Sequence, residues 1–139
     1  VRLPHIWLFG MRPDGEFFCR LAGGAANSAW GRIMMSRPVR ELLGDAYGRL
    51  VTLHWRFVLG RPAIAHTLTP PSHGDSGAEH IVLPVADETG RPRFVLGATV
   101  FDTTHAAPRA VDVLAEPTFH LLDGSPSDQE APLFPRRMP

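Results

Sequence analysis

The chain contains no lysine. All fourteen of its basic side chains are arginine, balanced by fourteen acidic ones for a formal net charge of zero. Without a basic cluster, the electrostatic footprint that holds a nucleic-acid backbone is missing. The lack of lysine itself fits the codon bias of a GC-rich genome better than any function. The single cysteine, Cys19, excludes an internal disulfide and a multi-cysteine zinc site. No apolar run approaches the roughly 18 residues of a membrane span, and the first residues carry no basic-then-apolar leader pattern. These absences leave the expectation of a soluble, cytoplasmic chain with neither nucleic acid nor membrane as partner.

What is present suffices for one domain. A chain of 139 residues, 44% of them apolar, can bury about two-thirds of its unfolded surface and needs no metal or disulfide staple. Six of the fourteen prolines fall in residues 103–139, and beyond Gly124 almost nothing could build a core. Residues 1–102 are therefore expected to form the folded domain. Residues 103–139 are expected to be a Pro-rich tail, partly docked through Ala110–Leu114 and Phe119–Leu122 or disordered.

Within the domain, His5–Met11 reads as a strand. Arg12-Pro13-Asp14-Gly15 has the composition of a type I turn, and Glu16–Ala22 reads as the returning strand. Alternation puts Phe17, Cys19 and Leu21 on one face of that strand and Glu16, Phe18 and Arg20 on the other. Ala25–Leu43 is interrupted by Gly31 and Pro38 and reads as short helical pieces, with Ser36 placed to cap the second. From Asp45, a plausible N-cap, Tyr47, Leu50, Val51, His54, Phe57 and Val58 keep helical spacing until Gly60 and Pro62 stop it. Ala63–Thr69, Glu79–Ala86 and Arg93–Asp102 read as strands, the last two joined by the hairpin signal Asp87-Glu88-Thr89-Gly90. Two strands, helices, then three strands define an α+β domain with an antiparallel sheet covered on one face.

That order and size resemble the PAS domain, a five-stranded sensory module, and more closely a bacterial family of short PAS-like proteins of poorly defined function. The resemblance covers residues 3–102. Three stretches carry it: LPHIWLFGMRPDGEFFCRLAGG (3–24), GRIMMSRPVRELL (31–43) and EHIVLPVADETGRPRFVLGATVF (79–101). These motifs are structural, so they point to a fold rather than to an active site. Two departures stand out. Ser36 occupies a position where the family usually has glycine, and the helix-forming stretch that usually precedes the first strand is not seen here. The resemblance implies a cavity between the sheet and the helices, with Trp30, Tyr47, His54 and Phe57 as ligand-binding candidates. The same residue types would equally fill a closed core.

Chemistry-bearing patterns are few. His66, His73 and His80 are evenly spaced but interrupted by a polar loop, and no HExxH or Cys–His cluster exists, so no metal is expected. Cys19 lies on a strand, whereas PAS domains that attach a flavin to cysteine do so from a helix, so it reads as a small core hydrophobe. Haem-binding PAS domains use a helical histidine, a position only His54 could fill; no cofactor is expected. His80 reads as a surface or interface residue. No nucleophile elbow, phosphate loop or dinucleotide fingerprint is present, and no catalytic residue is assigned.

The first strand is apolar on both faces, with His5, Trp7, Phe9 and Met11 on one and Ile6 and Leu8 on the other. One face must meet something besides the helices. A homodimer through the outer sheet face, involving Trp7 and Phe9 or their neighbours, is therefore expected. Nothing in the chain reads as a kinase, a cyclase or a DNA-binding helix-turn-helix. The combined expectation is a non-catalytic sensory or regulatory domain that binds a small ligand or a signalling partner and acts by association. Two alternatives stand beside it. One is a pure protein-interaction adaptor with a filled core, distinguished by the lack of a cavity larger than a few waters beneath Trp30 and His54. The other is a small cone-like α+β enzyme with His54 as general base, which requires a carboxylate or hydroxyl within reach of the imidazole.

Overall fold

The computed structural model describes residues 3–72, 76–104, 107 and 116–125. Its first hairpin joins β1 (Ile6–Met11) to β2 (Phe17–Ala22). The turn closes because the Gly15 N–H donates to the Arg12 carbonyl at 2.8 Å, with Gly15 at φ 84°. Asp14 Oδ1 accepts the Glu16 N–H at 2.9 Å, an Asx-type brace that fits aspartate to this position.

Gly24–Trp30 forms α1 and Val39–Leu43 forms α2, the short pieces expected between Gly23 and Gly44. The cap differs. Pro38, not Ser36, precedes α2, and Ser36 instead takes a left-handed conformation at φ 67°. The long helix α3 runs Asp45–Gly60. Gly44 is its N-cap, and Asp45 lies in the first turn, where a carboxylate faces the positive end of the helix dipole.

The chain then returns as β3 (Ala63–Thr69), β4 (Gly77–Ala86) and β5 (Pro92–Asp102). At the β4–β5 turn Asp87 Oδ1 accepts the N–H groups of Thr89 and Arg91 at 2.9 and 3.1 Å. A further strand, β6 (Thr118–Leu121), pairs antiparallel with β3. The sheet thus has six strands in the order β2-β1-β5-β4-β3-β6, every pairing antiparallel. The five-stranded expectation is corrected by β6, whose Phe119 and Leu121 are buried and draw residues beyond 102 into the sheet. Ala110–Leu114 lies outside the described residues. Among the described residues, no helix is long and apolar enough to cross a membrane.

The helices pack on one face, and the core lies between them and the sheet. Trp55 of α3 organises it. Its ring stacks on Trp7 at 5.4 Å and meets Phe9 at 4.9 Å and Phe17 edge-on at 5.2 Å. The apolar stripe of α3 is therefore rotated from the one expected, towards Trp55 and Leu59 and away from Tyr47. On β2 the alternation also breaks. Leu8 pairs with Leu21 but Phe9 pairs with Cys19, so a bulge at Arg20 shifts the phase. Leu21, expected inside with Phe17 and Cys19, is turned out and 47% exposed.

Candidate functional site

The sheet and the three helices border a partly open cavity of about 50 Å³. Trp7 and Phe9 of β1, Ala65 and Thr67 of β3, and His80 and Val82 of β4 form its floor. Val51, His54 and Trp55 of α3 form one wall. Leu42 and Leu43 of α2, Trp30 of α1 and Met34 from the intervening segment complete the lining. All three tryptophans of the chain line this one space.

Of the ligand-binding candidates, the structure brings Trp30 and His54 to the cavity. Tyr47 and Phe57 do not line it. Both are half-buried on α3, and Phe57 instead packs edge-on against Phe119 of β6 at 4.8 Å. Trp7 and Phe9 are corrected as interface residues. Each is only 2% exposed and both point inward to Trp55. The face choice follows from space on the neighbouring strand. Trp7 pairs with Gly97 of β5, whose missing side chain leaves room for the indole.

His80 is likewise corrected from surface to interior. It is 9% exposed and stacks on Trp7 at 5.3 Å. Its Nδ1 lies 2.8 Å from Thr99 Oγ1, which also accepts the Trp7 indole N–H at 2.9 Å. Trp7, Thr99 and His80 thus form a hydrogen-bonded chain that fixes two rings of the cavity floor. Burial lowers the pKa of His80 to about 4, helped by the charge of neighbouring His66. Burial alone lowers that of His54 to about 3. Both imidazoles are neutral at neutral pH, because an imidazolium here would lose its hydration.

Cys19 is buried, and its Sγ donates to the Leu21 carbonyl at 3.4 Å. Desolvation raises its pKa to about 11, so it sits as an inert thiol in the core. The described residues contain no group of three His, Cys, Asp or Glu side chains able to hold a metal. His73, one of the evenly spaced histidines, lies outside them.

Sequence reasoning missed Trp55, Thr67, His80 and the inward face of β1. A legible signal existed for part of this: Gly97 interrupts a strand of larger residues, and its missing side chain leaves room for a large ring on a neighbouring strand. On the opposite face Leu21, Leu8, Leu96 and Leu83 stand across from one another in four successive strands. Val100, Ile81 and Leu68 add exposed apolar surface to that side.

With this geometry in hand, comparison adds no relative: no protein-family model matches the chain, and no curated protein matches it.

Proposed function

We propose that the chain is a non-catalytic sensory or regulatory domain of PAS-like type, taking a small ligand between sheet and helices and acting through association with another protein. The observation that carries this reading is the apolar cavity bounded by Trp7, Trp30, Trp55 and two neutral histidines. A concave, mostly apolar space with a few placed polar groups is the usual form of a small-molecule site. The chain order of two strands, helices and three strands supports the PAS-like assignment, with β6 as an addition to it. The same reading extends to a homodimer through the outer sheet face. Its contact surface would be the leucine row Leu21, Leu8, Leu96 and Leu83 in place of Trp7 and Phe9. Light scattering after size exclusion at tens of micromolar is expected to give a dimer, and Leu96→Glu a monomer.

A specific observation favours the second reading, an adaptor with a filled core. At roughly 10–15 Å³ per water, about 50 Å³ holds only a few water molecules. Native mass spectrometry on protein taken directly from cells, repeated after denaturation, decides between them. An extra mass that leaves on denaturation is the expected result. A clean mass at every stage assigns the domain to the adaptor class.

A further inference from the structure

The chemistry of the cavity wall restricts what it can accept. Among the described residues no Arg, Asp or Glu side chain lines it, and its two imidazoles are neutral. An ionic ligand would shed its hydration here and meet no counter-charge, a cost that apolar contacts do not recover.

Trp30, one of the lining residues, carries a buried donor, the indole Nε1–H, that finds no acceptor among the described residues. The contrast with Trp7 is direct, since that indole, in the same cavity, donates to Thr99 Oγ1 at 2.9 Å. An indole nitrogen donates only, so whatever completes Trp30 must bring an acceptor. A buried donor left unmatched carries its full desolvation penalty, which an acceptor-bearing ligand would remove.

Resting on the reading of this cavity as a ligand site, we propose that it takes a small, uncharged, largely apolar molecule that presents one hydrogen-bond acceptor to Trp30 Nε1. A ring nitrogen, a carbonyl or an ether oxygen meets that description. Trp30 ends α1, only seven residues long, and Met34 follows it on the segment leading to α2. Met34 is fully buried on the cavity wall, and Asn27 Oδ1 holds its backbone N–H at 3.0 Å. The unbranched thioether chain of Met34 is the part of the wall that can repack around a molecule of ring size.

Benzene and pyridine test this cleanly, because they share a shape and differ by one acceptor. Spectra of ¹⁵N-labelled protein at neutral pH, where pyridine is uncharged, report all three indole N–H groups, assigned by triple-resonance experiments. Pyridine is expected to move the Trp30 Nε1–H signal downfield and saturably. Benzene should perturb the indoles without that downfield change, and benzoate at equal concentration should leave them unmoved. In Trp30→Phe the ratio of pyridine to benzene affinity is expected to fall roughly three- to tenfold, the contribution of one hydrogen bond. Should that variant not fold, the Trp30 signal in the native protein decides alone. Benzene binding with no response of Trp30 to pyridine, or an unchanged ratio in Trp30→Phe, overturns the acceptor and leaves the ligand site standing. Benzoate binding as tightly as pyridine overturns the uncharged class. No binding of either ring at millimolar concentration removes the ligand site, and this inference with it.

Discussion

Trp7 fills the space that a side chain at Gly97 would need: a Cβ built on Gly97 would lie 1.9 Å from Cζ2 of the Trp7 ring. The two residues face each other across β1 and β5, and both Trp55 and His80 stack on Trp7. The indole therefore cannot retreat. Gly97→Ala is expected to lower stability by about 3 kcal/mol, the upper end of overpacking costs, read from the urea midpoint. Gly60, near the end of α3 with nothing within 4 Å of its Cβ position, is the control. Gly60→Ala is expected to raise stability by about 0.5 kcal/mol through the unfolded chain.

Phe119 explains how the docking expected of Phe119–Leu122 comes about, as a strand of the sheet. Its ring is set edge-on to both His54 and Phe57, at 5.7 and 4.8 Å, closing the far end of the helix–sheet layer. Phe119→Ala is expected to cost about 3–4 kcal/mol, as large-to-small core changes do. Truncation after Asp102 should lower the midpoint at least as far. Equal stability of full-length and truncated chains would show β6 to be dispensable.

The α+β class, both hairpins, the broken helical segment and the long helix were legible because each rests on local signals: turn residues, periodicity and breakers. What was illegible depended on other strands. Both faces of β1 are apolar, so alternation could not say whether Trp7 and Phe9 or Ile6 and Leu8 point inward; Gly97, ninety residues away, decides. The bulge at Arg20 reverses Leu21 for a reason that exists only in the pairing of β1 with β2. His80 looked like a surface residue because no local pattern reveals that Trp7 and Thr99 converge on it. Of the four site candidates implied by the resemblance, Trp30 and His54 line the cavity, while Tyr47 and Phe57 do not because the buried stripe of α3 is turned towards Trp55.

Two neutral buried imidazoles make stability depend on pH. His54 and His80 have folded pKa values of about 3 and about 4, against an ordinary value of 6.5. Above pH 6.5 neither state binds these protons and the contribution is constant. Below 6.5 the unfolded chain takes them up while the folded one does not, so stability falls as the pH drops. The loss continues through the folded pKa values and then levels off. At about 1.4 kcal/mol per pKa unit, a loss of a few kcal/mol is expected by pH 4. Urea midpoints measured along a pH series check this, and His80→Gln should flatten the slope. A midpoint constant from pH 6.5 to 4 would contradict the burial of both rings. The lowered carboxyls of Asp87 and Asp123, held by Thr89 and Ser125, act only below that window.

Ser36 holds a backbone conformation that favours glycine. At φ 67° it is the only non-glycine residue with positive φ among those described. The geometry is imposed from both sides. The Ser36 N–H donates to the Cys19 carbonyl at 2.8 Å, and the Cys19 N–H donates to the Arg37 carbonyl at 3.0 Å, so the segment is pinned to β2. A side chain in this region costs about 1–2 kcal/mol. Glycine would relieve that but loosen the unfolded chain by about 0.5–1 kcal/mol. Ser36→Gly is therefore expected to gain about 0.5–1 kcal/mol, the difference of these two terms. Ser36→Val should lose stability, because a β-branched side chain tolerates positive φ least. Chemical denaturation of the pair gives the sign directly, and a Ser36→Gly variant less stable than the native chain would mean that the serine is not strained.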